Sequence, residues 1–323
     1  MHARNVPTAL TPLAPTQVGE TTLRTYDLTK QYGSRVAVNK LNLEVRRGEI
    51  VGFLGPNGAG KTTSIRMLLG LIAPTSGRVE LFGRDLASER THLLPRVGAL
   101  VETPALYLHM TGRENLRAVG AVLGGVSRQR IEAVLGQVGL QARQKDRVRT
   151  YSLGMKQRLG VGIALLNNPD LLILDEPANG LDPTGIVEMR DLLHQLASEG
   201  RTVFLSSHFL GEVQQICARV VFLNAGKLVA DKTVAELTGG QGEYAIRLEH
   251  AQEALALLRR QPWGKDARLD ESGTLLTRAP QESGRDLSAF LSQAGFPPDS
   301  LAPATQNLEE VFFSLINVHE GDK

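Results

Sequence analysis

The stretch that decides the fold is Gly55-Pro56-Asn57-Gly58-Ala59-Gly60-Lys61-Thr62, in which four residues separate a glycine from Gly-Lys-Thr. The apolar run Ile50-Val51-Gly52-Phe53-Leu54 precedes it, and the pattern from Thr62 to Leu71 predicts a helix. A strand, a glycine-rich loop and a helix in this order bind phosphate. The glycines let backbone N–H groups turn toward phosphate oxygens, and the helix directs its positive end at the anion.

The side chains of this loop have separate expected roles. Lys61 is expected to reach the β- and γ-phosphates of a nucleotide, and the Thr62 hydroxyl to ligate Mg²⁺. The residues predicted to contact the nucleotide here are Gly55, Pro56, Asn57, Gly58, Ala59, Gly60, Lys61, Thr62 and Thr63.

A pair of carboxylates follows a second apolar run. Leu171 to Leu174 is short and uninterrupted, which favours a strand buried on both faces, and Asp175 ends it. A carboxylate at the carboxyl end of a parallel strand faces the crevice where α/β proteins bind ligands. We expect Asp175 to hold Mg²⁺ through water and Glu176 to polarise an attacking water as general base.

Composition excludes several classes of protein. The 323 residues are 42% hydrophobic and 22% charged, as in ordinary globular proteins. The formal net charge of +2 gives no strong basic field of the kind that nucleic-acid binders carry. A single cysteine, Cys217, cannot form an internal disulfide, which fits a reducing cytoplasm. No apolar stretch approaches the roughly 20 residues that a membrane-spanning helix needs.

The length and the turn signals predict two domains with flanking segments. Residues 1–20 are rich in Pro, Thr and Ala and are expected to form a flexible leader without a secretory signal. The main domain is predicted over 21–237. A glycine-rich linker at 238–242 then leads to a small α+β domain at 243–323.

Several elements of the main domain follow from local patterns. Leu41, Leu43 and Val45 alternate with polar residues, the period of a half-buried strand. The stretch from Leu93 to Leu166 is predicted to be mostly helical. Asp182-Pro183 predicts a helix start, because Asp suits the N-cap and Pro the first helical position.

In this order the motifs resemble the nucleotide-binding domain of ATP-binding cassette (ABC) proteins, from Leu23 to about Leu237. A diagnostic segment stands where the family carries Leu-Ser-Gly-Gly-Gln. It reads Tyr151-Ser152-Leu153-Gly154-Met155-Lys156-Gln157-Arg158. Ser152 and Gly154 match, whereas Tyr151, Leu153 and Met155 depart from the family pattern.

The residues of this segment, taken by themselves, also indicate an anion-binding site. Ser152 is a good N-cap for the helix predicted from Leu153 to Leu166, and the start of that helix attracts anions. The resemblance implies that Ser152 and Gly154 contact the γ-phosphate held by the loop of another subunit. Two subunits, each with one phosphate loop and one Ser152–Gly154 segment, imply a head-to-tail homodimer that encloses two ATP molecules with Mg²⁺.

The resemblance assigns roles to further positions. It implies that Tyr32 stacks on adenine, that His208 is the switch histidine at the γ-phosphate, and that Gly180-Leu181-Asp182 communicates across the dimer. Glu102 stands where the family usually has Gln. It would bring a negative charge near Mg²⁺, which it could ligate, and its coupling role is left open.

Together with the signature segment Tyr151-Ser152-Leu153-Gly154-Met155-Lys156, two stretches resemble the branch of exporter ATPases related to bacitracin and lantibiotic self-protection. They are Glu102-Thr103-Pro104 and Thr111-Gly112-Arg113-Glu114-Asn115-Leu116. The chain ends in Leu308-Glu309-Glu310-Val311-Phe312-Phe313, within a helix predicted from Leu308 to Val318. Such tails resemble accessory domains of this branch. Phe312 and Phe313 are expected in the core of that domain, with a dimer contact as the alternative.

The resemblance implies an α/β P-loop NTPase fold of the ABC type, with a mixed sheet, an antiparallel β subdomain and a helical subdomain. It implies an ATPase at the cytoplasmic face of the membrane that powers export through a separate integral membrane permease, with a peptide antibiotic, a drug or a lipid-like molecule as the candidate substrates. A soluble ABC ATPase acting on DNA or ribosomes, and an inactive regulatory cassette, are the alternatives. The presence of Lys61, Asp175, Glu176 and His208 disfavours the inactive cassette.

Overall fold

A computed structural model describes residues 19–270, 272–305, 307–309 and 311–312. The predicted leader 1–20, apart from its last two residues, lies outside the described residues. So do Phe313 and the C-terminal helix predicted beyond residue 312. The chain divides into two compact units. The first comprises the chain up to Ile50 and Thr62–Leu205, and the second comprises Val51–Lys61 and the chain from Ser206 onward.

The strands and helices of the described residues are numbered separately along the chain. The strands are β1 (Thr21–Tyr32), β2 (Arg35–Arg46), β3 (Ile50–Leu54), β4 (Ser76–Leu81), β5 (Arg84–Asp85), β6 (Val97–Leu100), β7 (Leu171–Asp175), β8 (Thr202–Ser207), β9 (Arg219–Asn224), β10 (Lys227–Thr233), β11 (Gly239–Arg247), β12 (Arg268–Leu269), β13 (Leu275–Arg278) and β14 (Ser300–Thr305). The helices are α1 (Lys61–Leu68), α2 (Leu86–Leu93), α3 (Gly112–Val122), α4 (Arg128–Gln137), α5 (Leu153–Leu165), α6 (Pro183–Ser198), α7 (Leu210–Ile216), α8 (Val234–Thr238), α9 (Ala251–Leu258) and α10 (Gly284–Gln293).

The first unit contains an antiparallel sheet in the order β2-β1-β4-β5. Leu23 of β1 pairs with Val45 on one side and with Leu81 on the other, and all three side chains are buried. The alternation of Leu41, Leu43 and Val45 therefore marks one buried face, as the sequence predicts.

The predicted helical stretch from Leu93 to Leu166 contains a strand, so that prediction is wrong at β6. This strand pairs in parallel with β7, with Val97 opposite Leu171 and Leu100 opposite Leu174. Gly98 lets α5 approach closely, because an added Cβ would lie 2.4 Å from the Ala164 carbonyl oxygen. A strand of four residues set by these tertiary contacts leaves little periodicity to detect. Helices α3, α4 and α5 confirm the rest of the prediction.

Two helix ends show how local chemistry sets the elements. The Asp182 side chain accepts a hydrogen bond from the Gly185 N–H, and Pro183 is the first residue of α6, as predicted. Helix α1 ends earlier than the predicted Leu71, because Gly70 adopts a φ of +62° and the Leu71 N–H turns back to the Arg66 carbonyl.

The second unit holds the predicted phosphate-loop strand. Val51–Leu54 of β3 pairs in parallel with β9, and β10 pairs antiparallel with β9. An added Cβ on Gly52 would lie 2.6 Å from Val213 Cγ1, so α7 packs directly on the backbone of β3. These contacts hold β3, the strand that leads into the phosphate loop.

The C-terminal part of this unit is a four-stranded sheet in the order β12-β13-β11-β14 with its own hydrophobic core. Ile246, Leu258, Leu275 and Leu287 are fully buried in that core. The predicted linker 238–242 is not a loop, because Thr238 ends α8 and the four residues after it belong to β11. Pairing of Gly239 with Thr305 overrides the local turn signal. The domain boundary itself stays a prediction.

Candidate functional site

The loop between β3 and α1 has the backbone form that a phosphate cradle needs. Gly58 and Gly60 adopt φ values of +82° and +107°, a region that L side chains rarely enter. The Ala59 N–H donates to the Pro56 carbonyl, and the Gly226 N–H donates to the Ala59 carbonyl at 2.9 Å. An added Cβ on Gly55 would lie 2.3 Å from the Leu223 carbonyl oxygen, so glycine is required there.

Lys61 is buried within this loop. Its side chain is 7% exposed, and its ammonium Nζ donates to the Gly55 carbonyl at 2.7 Å. A buried cation needs partners of opposite charge or dipole. The ammonium is therefore held at the mouth of the loop, while Asn57 and Gly58 are exposed at its tip.

In the first unit the structure brings two predicted Mg²⁺ ligands together. Asp175 ends β7, is 2% exposed and accepts a hydrogen bond from the Thr62 hydroxyl at 3.1 Å. A hydroxyl and a carboxylate oxygen are donors that Mg²⁺ accepts, with water and substrate phosphates completing the shell. No cluster of three or more His, Cys, Asp or Glu side chains able to hold a metal occurs among the described residues.

Glu176 follows Asp175 in an unusual backbone conformation. Its φ is +51°, and its side chain is partly exposed. The Asn179 N–H donates to the Glu176 carbonyl at 3.1 Å, which closes a turn immediately after β7. Left-handed non-glycine residues tend to occur at functional sites, where the surrounding structure holds them in place.

The signature segment begins α5 as predicted. The exposed Ser152 is the N-cap, and its hydroxyl accepts from the Met155 N–H at 3.2 Å. Gly154 is buried, with Leu181 Cδ2 3.8 Å from the position of an added Cβ. Leu153 is 44% exposed and presents its side chain near Gly180. Within the first unit, the 180–182 turn therefore packs against the start of α5.

Tyr151, which stands where the family carries leucine, is buried and hydrogen-bonded. The ring is 4% exposed, and its hydroxyl donates to the Arg143 carbonyl at 2.8 Å. Burial raises the pKa of this hydroxyl above its ordinary value of 10.0. Gly112 makes room for it, since an added Cβ there would lie 2.4 Å from the Tyr151 oxygen. The sequence shows both residues without indicating that they meet.

The remaining predicted residues lie on exposed surfaces. Tyr32 is 51% exposed at the end of β1, with Lys30 Nζ 5.1 Å from its ring centroid. His208 is exposed, and its ring lies 4.0 Å from that of Phe209. Both side chains are accessible to a nucleotide.

Glu102 has a partner that the sequence does not predict. It has a φ of +59°, and its exposed carboxylate forms an ion pair with Arg66 of α1. The guanidinium offsets part of the negative charge expected near Mg²⁺. Its role as a metal ligand stays a prediction.

Within the described part of the chain, no helix is both long and apolar enough to cross a bilayer. The model of the ABC transporter family matches residues 38–179. The chain is 42% identical over 298 residues to a bacitracin transport ATP-binding protein of Bacillus licheniformis, covering 92% of this chain and 97% of that protein. It is 41% identical to a lantibiotic transport ATP-binding protein of Streptococcus pyogenes over 210 residues, covering 65% of this chain and 90% of that protein.

Solved structures show the same fold. An ATP-binding subunit of an ABC transporter matches with a TM-score of 0.60 and 31% identity, covering 67% of this chain and 92% of that structure. The match over 298 residues is longer than the predicted main domain, so it includes part of the region predicted as an accessory domain. These similarities confirm the predicted fold class, and the chain belongs to the ABC transporter family as an ATP-binding subunit with ATPase activity.

Proposed function

We propose that this subunit powers export of a peptide antibiotic through a separate membrane permease, from the cytoplasmic face of the membrane. The observation that carries the proposal is 42% identity to a bacitracin transport ATP-binding protein over 97% of that protein's length. Because that match extends beyond the cassette, the similarity involves more than the part that binds nucleotide. The comparisons give no support to a role on DNA or ribosomes.

The proposed nucleotide site consists of the loop Gly55–Thr63 and the side chains predicted around it. Lys61 and the loop N–H groups bind the β- and γ-phosphates and stabilise the charge that develops during transfer. Thr62 and Asp175 hold Mg²⁺, which neutralises phosphate charge when bound. Tyr32 stacks on adenine.

Hydrolysis then requires a base and a contact on the γ-phosphate. Glu176 orients the attacking water and accepts its proton, and His208 holds the γ-phosphate side. The fixed turn after β7 supports this role, because the Glu176 carboxylate follows Asp175 directly in the chain. Accurate placement of the water lowers the entropy cost of attack.

The exposed start of α5 supports a head-to-tail homodimer. Ser152 and Gly154 of one subunit contact the γ-phosphate bound by the loop of the other subunit. ATP binding closes this dimer and hydrolysis reopens it, and the motion passes to the permease. No nucleic acid is needed in this scheme.

Reconstitution in cells tests the proposal. The chain is co-expressed with the product of a neighbouring gene, chosen for having about six apolar spans, and both co-purification and growth on bacitracin are measured. We expect a stable complex and resistance that Glu176→Gln abolishes without loss of the complex. Strongly salt-sensitive DNA binding, with no bound membrane protein, would contradict the proposal and favour the soluble alternative.

A further inference from the structure

We infer that the C-terminal residues 307–309 and 311–312, here called the brace, position the switch helix α7 and thereby His208 for ATP turnover. The inference rests on the proposed role of His208 and adds a function for the accessory domain. The brace itself makes no contact with nucleotide in this scheme, so Leu308 and Phe312, which carry its contacts, are positioning residues.

One contact joins the brace to α7. The Leu308 N–H donates to Gln214 Oε1 at 3.2 Å, and the Leu308 side chain is fully buried. Val311, one turn further on, is 8% exposed. A side chain that reaches a backbone donor 94 residues away fixes the helix carrying it relative to the brace.

A second contact anchors the brace on β9. The Phe312 ring lies 5.3 Å from the Phe222 ring, at an interplanar angle of 30°. Phe222 is 1% exposed and is the register partner of Leu54, the residue before the phosphate loop. Phe312 therefore packs on the strand beside the nucleotide loop, which corrects the expectation that it belongs to the accessory core. The alternative of a dimer contact is not tested.

The accessory domain holds the other end of the brace. Strand β14 ends at Thr305, two residues before Asn307, and its backbone pairs with β11, with Ser300 opposite Arg247 and Leu301 opposite Ile246. The brace is thus fixed by a sheet at its start and by an aromatic contact at its end. Its middle contacts α7.

Helix α7 needs such support. It has seven residues, and its N-cap Phe209 makes no side-chain capping hydrogen bond. Isolated helices shorter than about 12 residues are marginal in water, so packing must hold this one. One face already packs on β3 through Val213 and Gly52. Because His208 lies two residues before α7, a shift of this helix displaces the imidazole.

Weakening the brace should therefore lower the rate of ATP turnover without a matching loss of affinity for ATP. The loop has contacts of its own, from Lys61 to the Gly55 carbonyl and from the Gly226 N–H to the Ala59 carbonyl, so we expect affinity for ATP to be largely retained when the brace is weakened. Misplacement of a γ-phosphate contact lowers the rate of the chemical step instead. The accessory domain therefore acts on hydrolysis from a position outside the phosphate loop.

Steady-state ATPase assays on the purified full-length chain test this inference. Gln214→Leu removes the acceptor, and the near-isosteric Gln214→Glu keeps it. Phe312→Ala removes the ring contact, and Phe312→Leu keeps an apolar side chain there. We expect Gln214→Leu and Phe312→Ala to lower kcat about tenfold with KM for ATP changed less than about twofold. The two conservative variants should keep at least about half of the wild-type kcat.

A His208→Ala background separates positioning from general destabilisation. If the brace acts through His208, adding Gln214→Leu lowers kcat no further, because the two changes are coupled. Glu309→Gln, at an exposed residue of the brace, is the matched control and should match wild type. Thermal unfolding of each variant shows whether the fold is intact, and Gln214→Leu decides the question if Phe312→Ala does not fold.

Two outcomes would overturn the inference while leaving the proposed function intact. One is wild-type kcat in both Gln214→Leu and Phe312→Ala. The other is an equal fall caused by Gln214→Leu in the wild-type and His208→Ala backgrounds. An inactive wild-type chain, or full activity of Glu176→Gln, would instead contradict the proposed function itself.

Discussion

Helices α1 and α5 both begin at a proposed phosphate contact, but they are built differently. The start of α1 is supported within the chain, with a buried Lys61 bound to Gly55 and Thr62 bound to a buried Asp175. The start of α5 has an exposed Ser152, whose hydroxyl caps its own helix, and an exposed Leu153. From this difference we predict that α1 belongs to a site able to bind nucleotide alone, and that α5 offers half of a site for a second copy.

Among changes at the two helix starts, removing the buried cation Lys61 should have the largest effect on ATP binding and turnover. We expect Lys61→Ala to weaken ATP binding and to lower turnover about 100- to 1,000-fold, because a preorganised charge at the phosphates is lost. Calorimetric titration with ATP and a phosphate-release assay measure the two effects. Lys61→Arg is the control that keeps the charge but changes its geometry. Unchanged nucleotide affinity in Lys61→Ala would remove the distinction between the two helix starts.

Changing the start of α5 should lower turnover without changing the affinity of the monomer for ATP. Ser152→Ala removes the N-cap, which costs about 1 kcal/mol of helix stability, and removes the hydroxyl proposed to meet the partner's γ-phosphate. We expect about a tenfold fall in kcat with ATP affinity unchanged in the monomer. Ser152→Thr keeps the hydroxyl and should keep most of the activity. Light scattering with ATP shows whether the dimer weakens, and a normal dimer with normal turnover would argue against the half-site.

The smallest effect on activity is expected at Tyr151, the residue before the N-cap of α5. Tyr151→Phe deletes the hydroxyl bonded to the Arg143 carbonyl and should lower the free energy of unfolding by about 1 kcal/mol at neutral pH. Because burial raises the pKa of this hydroxyl, its stabilising contribution is complete below pH 10.0 and is lost as the pH rises above that value.

Denaturant titrations of wild type and Tyr151→Phe at several pH values show whether the contribution of this hydroxyl to stability falls as the pH rises. The gap in stability between wild type and variant should narrow above pH 10.0. Activity should fall less than about twofold, since the Ser152 cap is retained. A gap that widens with pH would show that the hydroxyl is not buried in its neutral form.

Local chemistry explains which parts of this picture the sequence predicts. The phosphate loop, the buried run ending in Asp175 and the Asp182-Pro183 helix start each depend on neighbours in the chain, so their patterns are visible. Strand β6 and the pairing of Gly239 with Thr305 depend on distant partners, and local propensity points elsewhere.

Side-chain contacts of the site that join distant residues are likewise not predictable from local sequence. The Arg66 partner of Glu102, the Gly112 space for Tyr151 and the Gln214 contact to the brace join residues that are 36, 39 and 94 positions apart. No periodicity or spacing rule connects such pairs. The residue types at Ser152 and Gly154 could be matched to a family pattern, but the dimer that gives them a function stays a prediction.

ATP hydrolysis is proposed to occur beside α1, with Glu176 as the base. The most direct test is the rate at which Glu176→Gln converts bound ATP to ADP in the full-length chain. We expect ATP binding close to that of wild type and a rate of conversion reduced at least about 100-fold, since the amide keeps the shape of the carboxylate but cannot accept the proton. A rate near that of wild type would contradict this proposal.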